Sequence, residues 1–280
     1  MSRHLVCLSF DFDALSGWIA RGLTTPTPMS RGEFGAIGAK RILALLAKHS
    51  VRSTWFIPGV TIDTYPDICR RVTDAGHEIG HHGWTHVPPS KLNRVAEAEG
   101  LKRANEAIHN LSGRPARGYR SPSWDLSPHT IELLIENSFV YDSSMMGHDH
   151  HPYRARQGDV LTDAGSVQFG SKTDLIEMPV SWTLDDYPYF EFVRTDGAIL
   201  PGLSTARDVL KNWLDDFTYM CRNERWGILT YTFHPFVIGR GHRMMILEEL
   251  IEALTDQGAI FTTMAEAAAE FAEREPLAND

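Results

Sequence analysis

Two aspartates and two histidines are the residues of this chain best placed to do chemistry. Asp11 and Asp13 stand two apart in Ser9-Phe10-Asp11-Phe12-Asp13. On a strand, side chains alternate faces, so both carboxylates point one way and Phe10 and Phe12 the other. Two carboxylates on one face repel unless a cation or a proton separates their roles. Aspartate is also poor in strand interiors, although a pair of caps or solvated acids would read the same way. His82 and His86 stand four apart in His81-His82-Gly83-Trp84-Thr85-His86. A helical turn would put both imidazoles on one face, able to grip one metal; two surface histidines are the alternative. His81 is out of phase and reads as a supporting or packing residue. Two imidazoles and one carboxylate leave a tetrahedral metal an open position for water, as hydrolytic zinc sites require.

Such groups need a scaffold that gathers distant segments, and the hydrophobic pattern predicts one. A strand is expected over 5–12, then a long Gly-, Pro-, Thr- and Ser-rich loop over 15–38, of the length that often carries function. A helix follows over 39–49 with Ile42, Leu43, Leu45 and Leu46 on its apolar face. Strands are expected over 51–57, 77–80, 118–120, 139–142, 177–180, 227–233 and 259–262. Helices are expected over 66–75, 90–111, 127–137, 205–222 and 244–257, with Gly76 and Gly258 as left-handed stops. The stretch 147–173 reads as polar and irregular. Strands alternating with helices call for parallel strands covered by helices. About seven such units suit a closed or nearly closed α/β barrel in one domain. In a barrel, catalytic groups sit at the C-terminal ends of the strands, and both motifs follow a predicted strand.

The bulk properties set outer bounds. A chain of 280 residues buries an ample core without disulfides. A formal net charge of −9 and no basic face exclude a nucleic-acid partner. Cys7, Cys69 and Cys221 are far apart with no CxxC pair, and read as small core residues. No apolar run approaches a membrane span, and the acidic residues that interrupt the first apolar stretch argue against a signal peptide. A cytoplasmic protein is the expectation.

Four segments together resemble the polysaccharide deacetylase family, carbohydrate esterase family 4. They are Ser9-Phe10-Asp11-Phe12-Asp13, His82-Gly83-Trp84-Thr85-His86, Arg120-Ser121-Pro122-Ser123 and His234-Pro235, in the family's order and across most of the chain. The resemblance implies a distorted, incomplete β/α barrel. It implies that Asp13, His82 and His86 hold one divalent metal, usually zinc; cobalt, nickel or manganese would suit the same donors. Asp11 would be the general base, His234 the general acid, Arg120 the brace of Asp11, and the backbone N–H near Ser123 an oxyanion donor. The family's adjacent Asp-Asp pair is here split by Phe12. That split resembles a subgroup of peptidoglycan-deacetylase-like proteins, cyclic imide hydrolases and relatives of a metal-independent allantoinase.

The implied activity is hydrolysis of a non-peptide amide, with two substrate classes in view. One is an N-acetylated amino sugar; the other is a small cyclic imide or amide opened in the cytoplasm. A sugar-binding protein with a dead site would require loss of a base, acid or ligand, and none is missing. The subgroup also implies a homo-oligomer, with a homotetramer expected. Trp84, Trp124, Trp182 and Phe34 are candidate pocket residues, and Arg240 and His242 candidate polar contacts. Asp125 and Asp142 read as cap or turn residues, with support of the site residues as the alternative, and the His148-Asp149-His150-His151 cluster as a solvated loop, with a second metal site as the alternative.

Overall fold

The computed structural model describes residues 2–194 and 197–277. Its main sheet has nine strands, eight of them in the order Trp226–Phe233, Arg3–Asp11, Thr54–Ile57, Glu78–His81, Gly118–Tyr119, Tyr141–Asp142, Ser171–Glu177 and Tyr153–Gln157. The ninth, Ile260–Phe261, also pairs with Arg3–Asp11. Every pairing is parallel except that of Tyr153–Gln157 with Ser171–Glu177. The sheet curls but does not close, as expected of an incomplete β/α barrel. Its seam is bridged where Asp185 pairs in parallel with Thr232 and where the Ile228 amide donates to the His150 carbonyl at 2.9 Å.

Alternation along the first strand builds both layers of the core. Val6, Leu8, Phe10 and Phe12 pack outward with Trp55, Phe233 and the covering helices. Leu5 and Cys7 point inward, into a smaller cluster with Phe56, Tyr141, Ile176, Ile228 and Phe271. Ser9 and Asp11 continue that inward face towards the C-terminal rim, where apolar filling gives way to polar groups. Register holds the rim level: Ile57, His81, Tyr119, Asp142 and Glu177 lie side by side across four parallel neighbours.

Two stretches depart from the sequence reading. The expected loop over 15–38 is largely helical, as Ser16–Ala20 and Pro26–Lys48. Its prolines sit in the first turn of the long helix, where a missing N–H costs nothing. Its glycines, Gly32, Gly35 and Gly38, fall three apart and are all buried. A Cβ at Gly32 would lie 2.5 Å from the Ala14 carbonyl oxygen, and one at Gly38 1.9 Å from that of Pro235. These glycines are therefore a packing stripe that lets the helix touch backbone. The stretch 147–173 is likewise not irregular throughout. It holds the strand Tyr153–Gln157, a small hairpin of Val160–Leu161 with Val167–Gln168, and the start of Ser171–Glu177. Arg154, Arg156 and Gln157 hid that strand because it is a sheet edge, where polar residues are tolerated.

Candidate active site

The rim gathers the predicted groups into one cavity of about 310 Å³, lined by Asp11, Asp13, His82, His86, Ser123, Trp124, Trp182, Asp185, Tyr187 and His234, with Arg21, Pro188 and Leu200. Asp11 ends the first strand; Asp13 follows it, two residues on. Arg120, fully buried, arrives from the end of Gly118–Tyr119 and donates to Asp11 Oδ1 at 2.7 Å. The same guanidinium donates to Ser9 Oγ at 2.8 Å and to the Ser143 carbonyl and hydroxyl at 3.1 and 3.0 Å. It lies 4.2 Å from the Phe56 ring. Four fixed donations on a stacked plane leave Arg120 little freedom, and Asp11 inherits that order.

Asp13, His82 and His86 converge. His82 Nε2 lies 3.4 Å from Asp13 Oδ1, and His86 Nε2 3.3 Å from Asp13 Oδ2. The Arg120 carbonyl can only accept, so His82 Nδ1, 2.7 Å away, carries the proton. Its Nε2 is then a lone pair aimed at the cluster. Both His82 Nε2 and Asp13 Oδ1 are buried without a hydrogen-bond partner. Buried polar atoms ordinarily have one, and one ligand atom from each of the three residues lies within 4.8 Å of the others. That is the donor set and spacing a divalent cation would satisfy. Burial pushes the Asp13 carboxyl up, but the imidazoles of His86 and His82 outweigh it and hold it well below the usual range. Burial likewise opposes a charged His82, against which Asp11 and Asp13 raise it.

The two histidines do not share a helical turn. Gly83 and His86 have φ of +70° and +61°, so a tight loop folds back to bring the His86 ring within 4.9 Å of that of His82. His81 sets that loop: its Nδ1 accepts from the Gly83 amide at 3.1 Å, and its Nε2 faces the Leu101 carbonyl at 3.1 Å. Burial pushes His81 down to about 3, so it stays neutral.

His234 follows the strand Trp226–Phe233. Its Nδ1 donates to Asp186 Oδ1 at 2.8 Å, and its backbone N–H to both Asp186 oxygens at 3.1 and 3.0 Å. Nε2 is thereby turned towards Asp13, 3.9 Å away. Burial disfavours the imidazolium, but Asp185, Asp186 and Asp13 override it and raise His234 well above its ordinary value. Asp185 is itself pushed up to about 7 by burial, the neighbouring Asp186 adding to the effect against the pull of His234. This aspartate pair escaped the sequence reading, which stopped at Trp182. The signal was present: two adjacent acids just beyond a strand-like run, in an otherwise aromatic segment.

Trp124 and Trp182 stack with ring centroids 4.1 Å apart and form one wall. Ser123 and Trp124 both take left-handed backbone, φ +59° and +53°. Such strain persists where the surroundings enforce it and clusters at functional sites. Two expected pocket residues lie elsewhere. Trp84 packs on Gly59 and under Arg103, 3.6 Å from its ring, and lines a separate cavity. Phe34 sits on the long helix with Arg240 and Arg41 over its ring, outside the rim cavity. Arg240 is removed from the substrate contacts with it. Asp142, read as a cap or turn, is instead a buried strand residue that accepts from Ser144 Oγ at 2.7 Å. His150, expected in a solvated loop, is buried near Asp216, 3.6 Å away.

Comparison with known proteins places these features in context. Residues 36–141 match the family model described as polysaccharide deacetylase. The chain is 34% identical to a peptidoglycan deacetylase of Helicobacter pylori over 97% of both sequences. It is 28% identical to a peptidoglycan deacetylase-like protein of Gibberella zeae, over 96% of this chain and 86% of that one. Among solved structures, a Mycobacterium smegmatis protein assigned to the polysaccharide deacetylases superposes with a TM-score of 0.86 at 31% identity, over 100% of this chain and 95% of that one. A PuuE allantoinase superposes at 0.80 over 99% and 93% of the two chains; at 20% identity that likeness is one of fold.

Proposed function

The chain belongs to the polysaccharide deacetylase family, and from that premise we propose that it is a metal-dependent amidase that removes an N-acetyl group from an amino sugar. The observation that carries this reading is the meeting of Asp13, His82 and His86 around unsatisfied buried atoms, with Asp11 3.8 Å from His82 and His234 3.9 Å from Asp13. Asp13, His82 and His86 would hold the metal, zinc by preference. When bound, it supplies Lewis acidity at the scissile carbonyl and lowers the pKa of water.

The remaining work falls to the chain's own groups. Asp11, fixed by Arg120, takes a proton from the attacking water. Water oxygen bonds to the carbonyl carbon and the carbon–nitrogen bond breaks. His234, kept protonated by its aspartates, gives the Nε2 proton to the departing nitrogen, which would otherwise leave as a poor amide anion. Backbone N–H at Ser123, in its left-handed turn, is the proposed donor to the oxyanion. Acetate and a free amine result. The stacked Trp124 and Trp182 offer a flat apolar face to a sugar ring.

The second reading is ring opening of a cyclic imide or amide by the same groups. A cavity of about 310 Å³ favours it, since that is the lower end of small-ligand sites and suits one ring better than a polymer. One preparation tests both. Metal content is measured with turnover of N-acetylglucosamine oligomers, succinimide and dihydrouracil, before and after chelation. One metal per chain, and oligomer hydrolysis lost on chelation and restored by zinc, is the expected result. Activity indifferent to chelation would overturn the metal assignment, and turnover of the imides alone would overturn the deacetylase reading. We further propose zinc as the metal, a cytoplasmic setting and a homotetramer; among the described residues no helix is long and apolar enough to cross a membrane.

A further inference from the structure

The catalytic cavity has one charged side chain to which the hydrolytic scheme gives no task, Arg21. It caps the short helix Ser16–Ala20, which begins three residues after Asp13 and runs beside the metal-binding loop. A Cβ on Gly17 of that helix would stand 3.8 Å from His86 Nδ1. Arg21 Nη1 donates to the Tyr187 hydroxyl at 2.7 Å, and the guanidinium carbon lies 5.6 Å from the Tyr187 ring and 6.0 Å from the Trp18 ring. Tyr187 in turn lies 5.4 Å from the His234 ring, so one aromatic residue separates Arg21 from the proton donor.

Its surroundings set it apart from the other arginines nearby. Arg120 is committed to Asp11, Arg31 to Glu191, and Arg243 to the carbonyls of Val237 and Phe190. Among the described residues Arg21 has no carboxylate partner, although it is held by a hydroxyl and two rings. A guanidinium so oriented presents a planar fork of donors matched to a carboxylate. The two indoles and the groups that act on the amide line the same cavity.

We propose that Arg21 makes this an enzyme for anionic amides, by pairing with a carboxylate carried a few bonds from the scissile carbonyl. This rests on the amidase reading above and narrows its substrate class. A carboxylated N-acetyl amino sugar and a cyclic amide with an acidic side chain share that chemistry.

The test uses metal-loaded protein and two matched pairs: N-acetylmuramic acid against N-acetylglucosamine, and hydantoin-5-acetic acid against hydantoin. The carboxylated member of one pair is expected to have the higher kcat/KM, and that pair identifies the source. In Arg21→Gln the carboxylate preference falls about ten- to a hundredfold, the scale of a lost charge-assisted pair; Arg21→Lys recovers part of it. Hydrolysis with no preference, or a preference that Arg21→Gln leaves unmoved, overturns the assignment while the amidase reading stands. Hydrolysis of none of the four, by metal-loaded protein that turns over N-acetylglucosamine oligomers, succinimide or dihydrouracil, overturns the assignment alone; turnover of none of those either overturns both.

Discussion

Asp186→Asn tests whether His234 is the proton donor and what holds it to that role. The carboxylate now accepts from Nδ1 at 2.8 Å and from the His234 backbone N–H at 3.1 and 3.0 Å. Asparagine keeps the shape but has one acceptor and one donor end. With its oxygen towards Nδ1, its amino group meets the backbone N–H; turned over, it meets Nδ1–H. One donor is opposed either way, and the negative charge that stabilises the imidazolium is gone. Hydrogen bonds to charged groups contribute about 1.5–3 kcal/mol, so kcat/KM should fall about ten- to a hundredfold. The pH profile is the sharper readout. His234 is raised well above its ordinary value, so its proton is retained below that value and activity fades as pH climbs through it. Removing a cause of the raised value must move the alkaline limb towards lower pH. The assay is kcat/KM against pH with saturating metal, for wild type and variant, with thermal unfolding as a control for folding. An alkaline limb that stays in place, with a rate within about twofold of wild type, would refute the role given to His234.

Other perturbations separate the structural parts. His82→Ala and Asp13→Asn should each lose bound zinc by elemental analysis, and zinc should raise the melting temperature of wild type but not of these variants. Gly38→Ala puts a Cβ 1.9 Å from the Pro235 carbonyl oxygen, so the long helix must move off the segment that carries His234. A loss of about 1–3 kcal/mol is expected from overpacking, read by denaturant unfolding, together with a lower kcat. Far from the site, Arg3 holds Glu270 down to about 2, burial opposing and Trp226 and Arg274 assisting. That carboxylate stabilises the fold above its unfolded value and ceases to as pH falls towards about 2. Glu270→Gln should flatten the acid side of the stability–pH curve, measured by unfolding between pH 5 and 2.

The fold was legible where covalent periodicity and burial agree. Leu5 to Asp11 faces a filled barrel interior on one side and covering helices on the other, so it reads as a near-continuous apolar run that only a buried strand explains. The helical turns over residues 16–38 were not legible for the converse reason. Gly32, Gly35 and Gly38 weaken intrinsic helix propensity, and what favours them is contact with Ala14 and Pro235, far apart in sequence. The strand Tyr153–Gln157 was hidden similarly, since an edge strand is held by one neighbour and need not alternate cleanly.

The site divides along the same line. Asp11, Asp13, His82 and His86 could be picked out because short spacing relates each pair. His82 and His86 were nonetheless paired for the wrong local reason: a left-handed fold at Gly83 and His86, not a helical turn, brings them together. Asp186 and Arg21 have no partner at short spacing, because each meets its neighbours only when the seam between Tyr153–Gln157 and Trp226–Phe233 is bridged. Asp185 pairs across that seam with Thr232, two residues before His234, so one contact both bridges the open sheet and sets His234 against its carboxylates. Left-handed backbone at Ala14, His86, Ser123 and Trp124 falls on the same rim. None of the four is glycine, so each costs local energy that the packed barrel must offset. That cost is accepted where a ligand, a loop turn or a stacked wall has to sit within a narrow tolerance, which is a property of the assembled rim and of no single segment.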